Sequence, residues 1–189
     1  MATLYTSPQT IKRDTALGTS VDEDLLRPYI RIAQDRWILP ALGTKLDEYL
    51  KAEINSAGGL TGNDLILVRD YIQPALVQLS FVEVAFVIRL RFSNNSVTVA
   101  DSEQGVSADF SDIKMVTDRA QQIGLFYRER LLDYLCDNTN LFPQYNQNTG
   151  SDLSPNRDNY SGGLNIYPNA IDNRMLQAIA AAIGANSNN

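Results

Sequence analysis

The stretch Asp64–Arg91, DLILVRDYIQPALVQLSFVEVAFVIRLR, decides the fold, because it is the most apolar part of the chain and its apolar residues recur at helical spacing. A helix that is apolar around most of its circumference must be covered by other helices or by a neighbouring subunit. We therefore predict the central helix of an all-α domain, kinked at Pro74 because proline lacks the N–H that would bond Asp70. One row of side chains steps along the predicted buried face: Leu65, Val68, Ile72, Ala75, Leu79, Val82, Phe86 and Leu90. A narrow polar stripe is left for water: Arg69, Gln73, Ser80 and Arg91.

The composition favours a protein that binds neither nucleic acid nor membrane through charge. The chain has 189 residues with a formal net charge of −6, so it carries no overall basic field. The run Ala75–Phe92 is nearly long enough to span a bilayer, but Glu83, Arg89 and Arg91 interrupt it. Each ionised group near the bilayer centre costs about 2.5–3.5 kcal/mol. We expect a buried helix and no membrane partner.

Helix start and stop signals place further helices on both sides of this stretch. Ser7 before Pro8 predicts a short helix over Pro8–Asp14, and a capping box at Ser20–Glu23 predicts the start of a second. Pro28 should bend this second helix and Pro40 should break it. A third helix is predicted over Ala41–Ile54. A second long helix is predicted over Ser111–Cys136, with a buried stripe of Ile113, Val116, Ala120, Ile123, Tyr127, Leu131 and Leu135.

The segment between the two long helices changes its period. Ser96–Ala100 and Val106–Ala108 alternate polar with small or β-branched residues around a turn-forming stretch. This pattern predicts a small protruding β-hairpin at about 94–108. An isolated two-stranded hairpin is marginally stable in water, so we expect it to lean on other structure, in an assembly on a neighbour.

The C-terminal region is asparagine-rich and its apolar residues come singly, so we divide the chain into a helical domain, 1–140, and an extended polar arm, 141–189. Isolated aromatic residues suggest anchors that dock one by one: Phe142, Tyr145, Tyr160 and Tyr167. A short terminal helix is predicted with one apolar side: Ile171, Met175, Ile179 and Ile183. The sequence leaves two alternatives open, docking on a partner or folding back on the same domain.

The residue types present exclude most catalytic chemistry. The chain has no histidine and one cysteine, Cys136, expected to be a buried thiol. Serine–histidine and cysteine–histidine nucleophiles and nearly all zinc sites are therefore absent. The acids Asp22, Glu23 and Asp24 crowd a helix start, where the helix dipole favours them without any cation. We expect no enzyme, no catalytic residues, no cofactor and no metal; an enzyme that uses carboxylates and a metal is the third hypothesis.

Taken in order, these pieces resemble the head–tail connector (adaptor or head-completion) proteins of tailed bacteriophages, nearest those of crAss-like and related gut phages. The resemblance rests on Ser7-Pro8-Gln9-Thr10-Ile11-Lys12, on the helix Asp22–Ile38, on Leu39-Pro40-Ala41-Leu42-Gly43-Thr44-Lys45-Leu46, and on two long helices separated by a protruding hairpin. It covers roughly Ser7–Cys136. The asparagine-rich C-terminal region lies outside it.

The resemblance implies a structural virion protein without catalysis. Such proteins form a ring, commonly of twelve copies, beneath the portal; they extend the DNA channel and present a surface to the next tail or ring protein. This chain would be made in the bacterial cytoplasm and reside at the head–tail junction, with DNA only as passing cargo. The hairpin residues Val97, Val99 and Val106 would contact a neighbour or the tail, and the arm Phe142–Ile183 would order on docking.

The nearly all-round apolarity of Asp64–Arg91 points to the same assembly. Val77, Val84 and Val87 lie beside the narrow polar stripe and exceed what one small domain needs for its core, so we predict that they contact a neighbouring subunit. The alternative function is a monomeric helical protein-binding module that uses its C-terminal arm.

Overall fold

The computed structural model describes residues 3–17, 21–92, 97–99, 110–147 and 152–156. The chain divides into two units, Met1–Arg157 and Asp158–Asn189, and all of these residues belong to the first. The fold class is all-α, as predicted. The α-helices are α1 (Pro8–Asp14), α2 (Glu23–Ala33), α3 (Leu39–Leu42), α4 (Thr44–Asn55), α5 (Gly62–Ile66), α6 (Gln73–Arg89) and α7 (Phe110–Asp137). Two π-helical turns, Gln34–Ile38 and Leu67–Ile72, and a 3₁₀ turn, Pro143–Asn146, complete the helical elements.

Each π turn comes just before a proline. The N–H of Leu39, which precedes Pro40, bonds the carbonyl of Gln34, and the N–H of Gln73, which precedes Pro74, bonds that of Val68. In a regular α-helix a proline ring clashes with the carbonyl four residues earlier. A wider turn with bonds five residues apart relieves that crowding, so the helical backbone continues past both prolines. The predicted break at Pro40 is therefore wrong.

The break falls instead at Gly43, whose φ of +74° only glycine adopts without strain. The helix that begins at Glu23 accordingly runs through the first π turn into α3, and α4 starts at Thr44. At the other end of α2 the structure differs from the predicted capping box. The N-cap of α2 is Asp22, whose Oδ1 accepts from the N–H of Asp24 at 3.0 Å, and Ser20 lies outside the described residues.

The central helix α6 packs against α1, α2 and α7. The second π turn, which leads into α6, meets late α7, where the rings of Tyr71 and Tyr134 stack with centroids 4.0 Å apart. Near the middle of both helices, Gly124 lies against the side chain of Leu79. These neighbours cover part of the apolar surface of α6 that the sequence left for a partner, including Val77 and Val84.

The predicted subunit contacts Val77 and Val84 are corrected by this packing. Both side chains are buried in the core of their own chain, as is Ser80 of the predicted polar stripe, so they offer no surface to a neighbour. Val87 is half-buried on α6, and its role as a contact stays a prediction.

The predicted hairpin is not confirmed. Strand β1 (Leu90–Phe92) follows α6 directly and pairs antiparallel with β2 (Val97–Val99), with Leu90 opposite Val99. The sequence assigned Leu90 and Arg91 to the central helix and paired the 96–100 strand with 106–108. Residues 93–96 and 100–109, including Val106, lie outside the described residues, so the protruding hairpin stays a prediction.

The first part of the predicted arm belongs to the helical core. Phe142 and Tyr145 are 0% exposed, so as partner contacts they are corrected: both lie inside their own domain. Further along, Asp152–Asn156 lies on the break before α4. The N–H of Thr44 donates to the carbonyl of Leu153 at 3.0 Å, and the N–H of Asn156 donates to that of Pro40 at 2.7 Å.

Candidate assembly surface

Helix α7 exposes apolar side chains from near its start to just past its middle. Met115 is 68% exposed and Phe126 62%, and Val116 and Ile123 are also exposed. These four residues form what we call the α7 strip. The predicted buried stripe of this helix is therefore wrong for Val116 and Ile123; Ala120, Leu131 and Leu135 are buried, and Ile113 and Tyr127 are half-buried.

The two halves of α7 differ because they have different neighbours. The late half is covered by the second π turn, by α3 and by Phe142, whose ring packs edge-on against Tyr134. The early half meets the end of α6. Apolar positions at helical spacing thus become core in one half of the helix and surface in the other.

An apolar pocket of about 250 Å³ lies beside the α7 strip, between the end of α6 and the start of α7. Its apolar lining consists of Leu17, Phe81, Ala85, Ile88, Ile113 and Val116. Because Val116 belongs to both, the pocket and the α7 strip form one continuous apolar surface. Such a pocket suits an aliphatic or aromatic anchor from another protein segment.

A second exposed apolar feature lies on α2. Leu25 and Ile32 are seven residues apart, so they share one helix face, and both are exposed. We call them the α2 strip. Helices α2 and α7 each pack against α6, so the two strips lie on different helices bound to the same central helix.

Charges around the α2 strip are paired within the chain. Arg27 and Asp24 lie 3.5 Å apart, and Arg31 and Asp35 lie 3.6 Å apart. Solvent-exposed pairs of this kind are worth roughly 0–1 kcal/mol. The α2 strip can therefore bind a partner through apolar contact, and not through an excess of charge of one sign.

The N-terminal segment forms a polar cluster with α4. The Tyr5 hydroxyl donates to Oδ1 of Asp47 at 2.8 Å, and Nζ of Lys51 lies 2.6 Å from Oδ2 of the same carboxylate. Burial, together with the adjacent Asp47 carboxylate, raises the pKa of Tyr5 far above its ordinary value. Tyr5 therefore stays neutral and acts as a hydrogen-bond donor at any physiological pH.

No metal centre is seen among residues 3–17, 21–92, 97–99, 110–147 and 152–156: no group of three or more Cys, Asp or Glu side chains there could hold an ion. The carboxylate of Asp22 accepts a hydrogen bond from the backbone N–H of Asp24 at the start of α2, as an N-cap does. Cys136 is exposed, which corrects the expectation of a buried thiol.

One helical run, Gly62–Ala85, has the length and apolar composition of a membrane span. Half of its apolar stretch is buried inside the domain, and the core helix of a soluble protein can have the same length and composition. Length and composition are therefore weak grounds for a membrane assignment.

The predicted contact residues that the structure describes do not form one surface. Val77, Val84, Phe142 and Tyr145 are in the core, whereas Val97 and Val99 are in β2. Val106, Tyr160, Tyr167, Ile171, Met175 and Ile179 lie outside the described residues. The structure adds Met115, Val116, Ile123 and Phe126, which sequence reasoning missed as contacts. The sequence did carry one signal for these contacts. Met115 and Phe126 are eleven residues apart, so they share one helix face, and this face lies outside the predicted buried stripe.

These features define a small all-α domain with exposed apolar strips on two helices and an apolar pocket beside one of them. The chain belongs to DUF6712, a family of unknown function whose model matches residues 38–154, more than half of the chain. No curated protein and no solved structure matches it.

Proposed function

We propose that this chain is a structural, non-enzymatic virion protein. It would assemble into a homo-oligomeric ring, of twelve copies by the resemblance, that joins the portal to the tail and extends the DNA channel. Its partners would be further copies of itself, the portal protein and other tail or ring proteins, with DNA as passing cargo. In this proposal the domain is a bundle around two long antiparallel helices, with a protruding hairpin at 94–108 and a C-terminal arm.

The observation that carries the proposal is the pair of apolar strips on different helices. A ring needs a head-to-tail contact in which one surface of each copy meets a different surface of the next. The α7 strip with its pocket can serve as one surface and the α2 strip as the other. The parts of the proposal that concern the portal, the tail and the number of copies rest on the resemblance, which covers roughly Ser7–Cys136.

The α7 strip has the composition of an interface centre. Methionine and phenylalanine are enriched in interface cores, and truncation of a buried aromatic anchor often weakens binding strongly. With Met115 and Phe126 both more than three-fifths exposed, covering them on assembly would remove a large apolar area from water. An apolar surface of this kind favours association without needing a bound ion or cofactor.

The test is size-exclusion chromatography with light scattering, followed by electron microscopy of the largest species. The wild-type chain should form a defined multi-copy ring, and Met115→Ser with Phe126→Ser should shift it to monomer. Leu141→Ser is the matched control, because Leu141 is an exposed leucine outside both strips and should leave the assembly intact.

Head-to-tail geometry also predicts what a mixture of two variants should form. A chain with a damaged α7 strip keeps its α2 strip, and a chain with Leu25→Ser and Ile32→Ser keeps its α7 strip. Together they should form dimers held by one intact contact, whereas each alone stays monomeric. A wild-type chain that stays monomeric at high concentration and with added portal protein would contradict the ring and favour the monomeric binding module.

A further inference from the structure

The non-helical segment Thr3–Thr6 is held by groups that come from three separate elements of the fold. The backbone N–H of Tyr5 donates to Oε1 of Gln34 at 3.1 Å, and its carbonyl accepts from Nε2 of Gln73 at 2.8 Å. Nε2 of Gln34 also donates to the carbonyl of Thr3 at 3.2 Å. Both main-chain polar groups of Tyr5 are therefore satisfied by side chains, as they would be in a bound peptide.

The side chain of Tyr5 is recognised at both its ring and its hydroxyl. Tyr5 is 3% exposed and belongs to the hydrophobic core, while its hydroxyl reaches the carboxylate of Asp47 on α4. On the same helix, Nδ2 of Asn55 donates to Oγ1 of Thr3 at 2.6 Å. We call this receptor the tyrosine cleft; its polar groups are those of Gln34, Asp47, Asn55 and Gln73.

The two glutamines of the cleft lie at the two π turns. Gln34 is the first residue of one π turn, and Gln73 directly follows the other. The same wide turns that carry the helices past Pro40 and Pro74 therefore also hold the two amides that clasp Tyr5. The cleft is a product of the helical scaffold rather than of the segment that fills it.

We propose that the tyrosine cleft is a peptide-recognition site for a non-helical tyrosine-containing segment, and that residues 3–6 of a second copy can fill it in place of the chain's own. A second copy carries the identical ligand, so every contact above is available to it. The chain's own segment is favoured by the covalent tether, through an effective concentration in the millimolar range, and by α1, which begins at Pro8 and packs against α6. Residues 3–6 of a second copy would therefore enter the cleft together with their own α1. In an oligomer, the N-terminal segment of a neighbouring copy is held at a similar effective concentration and competes for the same cleft. This exchange between copies therefore rests on the proposed assembly.

Recognition is tested with the full chain carrying Tyr5→Ala, whose own segment can no longer fill the ring site. A fluorescent peptide of residues 2–8, ATLYTSP, should bind this variant by anisotropy more tightly than it binds the wild-type chain, whose cleft is occupied. A peptide with Tyr5→Ala should bind about 100-fold more weakly because a buried ring is lost. One with Tyr5→Phe should bind roughly 10-fold more weakly because Asp47 loses its donor. A variant that is folded by circular dichroism but binds no peptide, or binds all three equally, would overturn the site.

Exchange between copies is tested by cross-linking, which does not require an emptied cleft. Thr3→Cys and Asn55→Cys place two thiols at a side-chain contact, with Cys136→Ser removing the exposed native thiol. After oxidation with diamide, non-reducing electrophoresis should show covalent multimers from the oligomeric fraction. Cross-linked monomers alone at every concentration would overturn the exchange. The readouts separate the proposals, since failure of the cleft appears as lost peptide binding and failure of the ring as the absence of oligomers in light scattering.

Discussion

Gly124 of α7 lies so close to Leu79 of α6 that a Cβ atom at position 124 would be 2.7 Å from Cγ of Leu79. This contact sets the separation of the two helices at their middle. Gly124→Ala should destabilise the protein by up to about 2 kcal/mol: overpacking costs about 1–3 kcal/mol, and the better helix propensity of alanine offsets about 1 kcal/mol of it. Urea unfolding followed by circular dichroism measures the change.

Gly58→Ala is the control for this substitution, because a Cβ there meets nothing within 4 Å. It should change the free energy of unfolding by less than about 0.5 kcal/mol. A stabilised Gly124→Ala variant would show that α6 and α7 separate easily at this point.

Gly43 joins α3 to α4 and also receives the C-terminal part of the domain. Its φ of +74° and ψ of 159° fall in a region that essentially only glycine occupies, and a Cβ would lie 2.7 Å from Cδ of Pro155. Gly43→Ala should cost about 1–3 kcal/mol from the backbone alone. It should also loosen Asp152–Asn156, which hydrogen exchange at the amides of Thr44 and Asn156 would detect.

Gly59→Ala separates backbone strain from the contact with Pro155. Gly59 also has a positive φ, of +62°, but a Cβ there meets nothing within 4 Å. It should be destabilising while leaving exchange at Thr44 unchanged. Equal exchange at Thr44 in both variants would mean that Pro155 does not depend on Gly43 for its position.

Two truncations separate the contributions of the first unit, Met1–Arg157, and the second, Asp158–Asn189. Deletion of residues 158–189 should leave the thermal unfolding midpoint within a few degrees of that of the full chain, because it removes none of the described core. Deletion of residues 141–189 should destabilise the domain by several kcal/mol, since Phe142 and Tyr145 are 0% exposed and loss of one large aromatic side chain alone costs about 3–5 kcal/mol. Differential scanning calorimetry measures both. Equal midpoints for the two truncations would contradict the burial of these aromatics.

Alkaline pH should destabilise the fold through its hydrogen-bonded tyrosines. The hydroxyl of Tyr49 donates to Oδ2 of Asp64 at 2.9 Å, and this bond raises the pKa of Tyr49 from 10.0 to about 12. The unfolded chain therefore releases its proton first, and the stability from Tyr49, complete below pH 10, declines as pH rises from 10 towards 12. Urea midpoints at about pH 9 and pH 11 measure the loss.

Tyr49→Phe should show a smaller fall in the urea midpoint between these two pH values, because phenylalanine has no proton to release. Tyr5, whose pKa is raised by burial and by Asp47, should add a loss above pH 10 that Tyr5→Phe removes. If the urea midpoint of both variants falls as much as that of the wild-type chain, the alkaline sensitivity comes from other groups.

Local signals predicted the helices well. Ser7 and Pro8 define the start of α1, and the observed Pro8–Asp14 matches the predicted range. The predicted Ser111–Cys136 differs from the observed Phe110–Asp137 by one residue at each end. Caps, prolines and apolar spacing act over one or two turns, so the sequence carries them directly. The break predicted at Pro40 is wrong because the π turn that accommodates this proline is a property of the surrounding helix and not of the proline itself.

The candidate contacts were predicted poorly because exposure depends on residues distant in the chain. The sequence by itself determined the all-α class, most helix bounds and the absence of histidine chemistry, since each follows from residue types and short-range spacing. Only the tertiary structure decided that Val77 and Phe142 lie inside, that Met115 and Phe126 lie outside, and that Gln34, Asp47 and Gln73 meet around Tyr5. An apolar side chain can lie in the core or on the surface, and which of the two it does depends on the helices that pack over it.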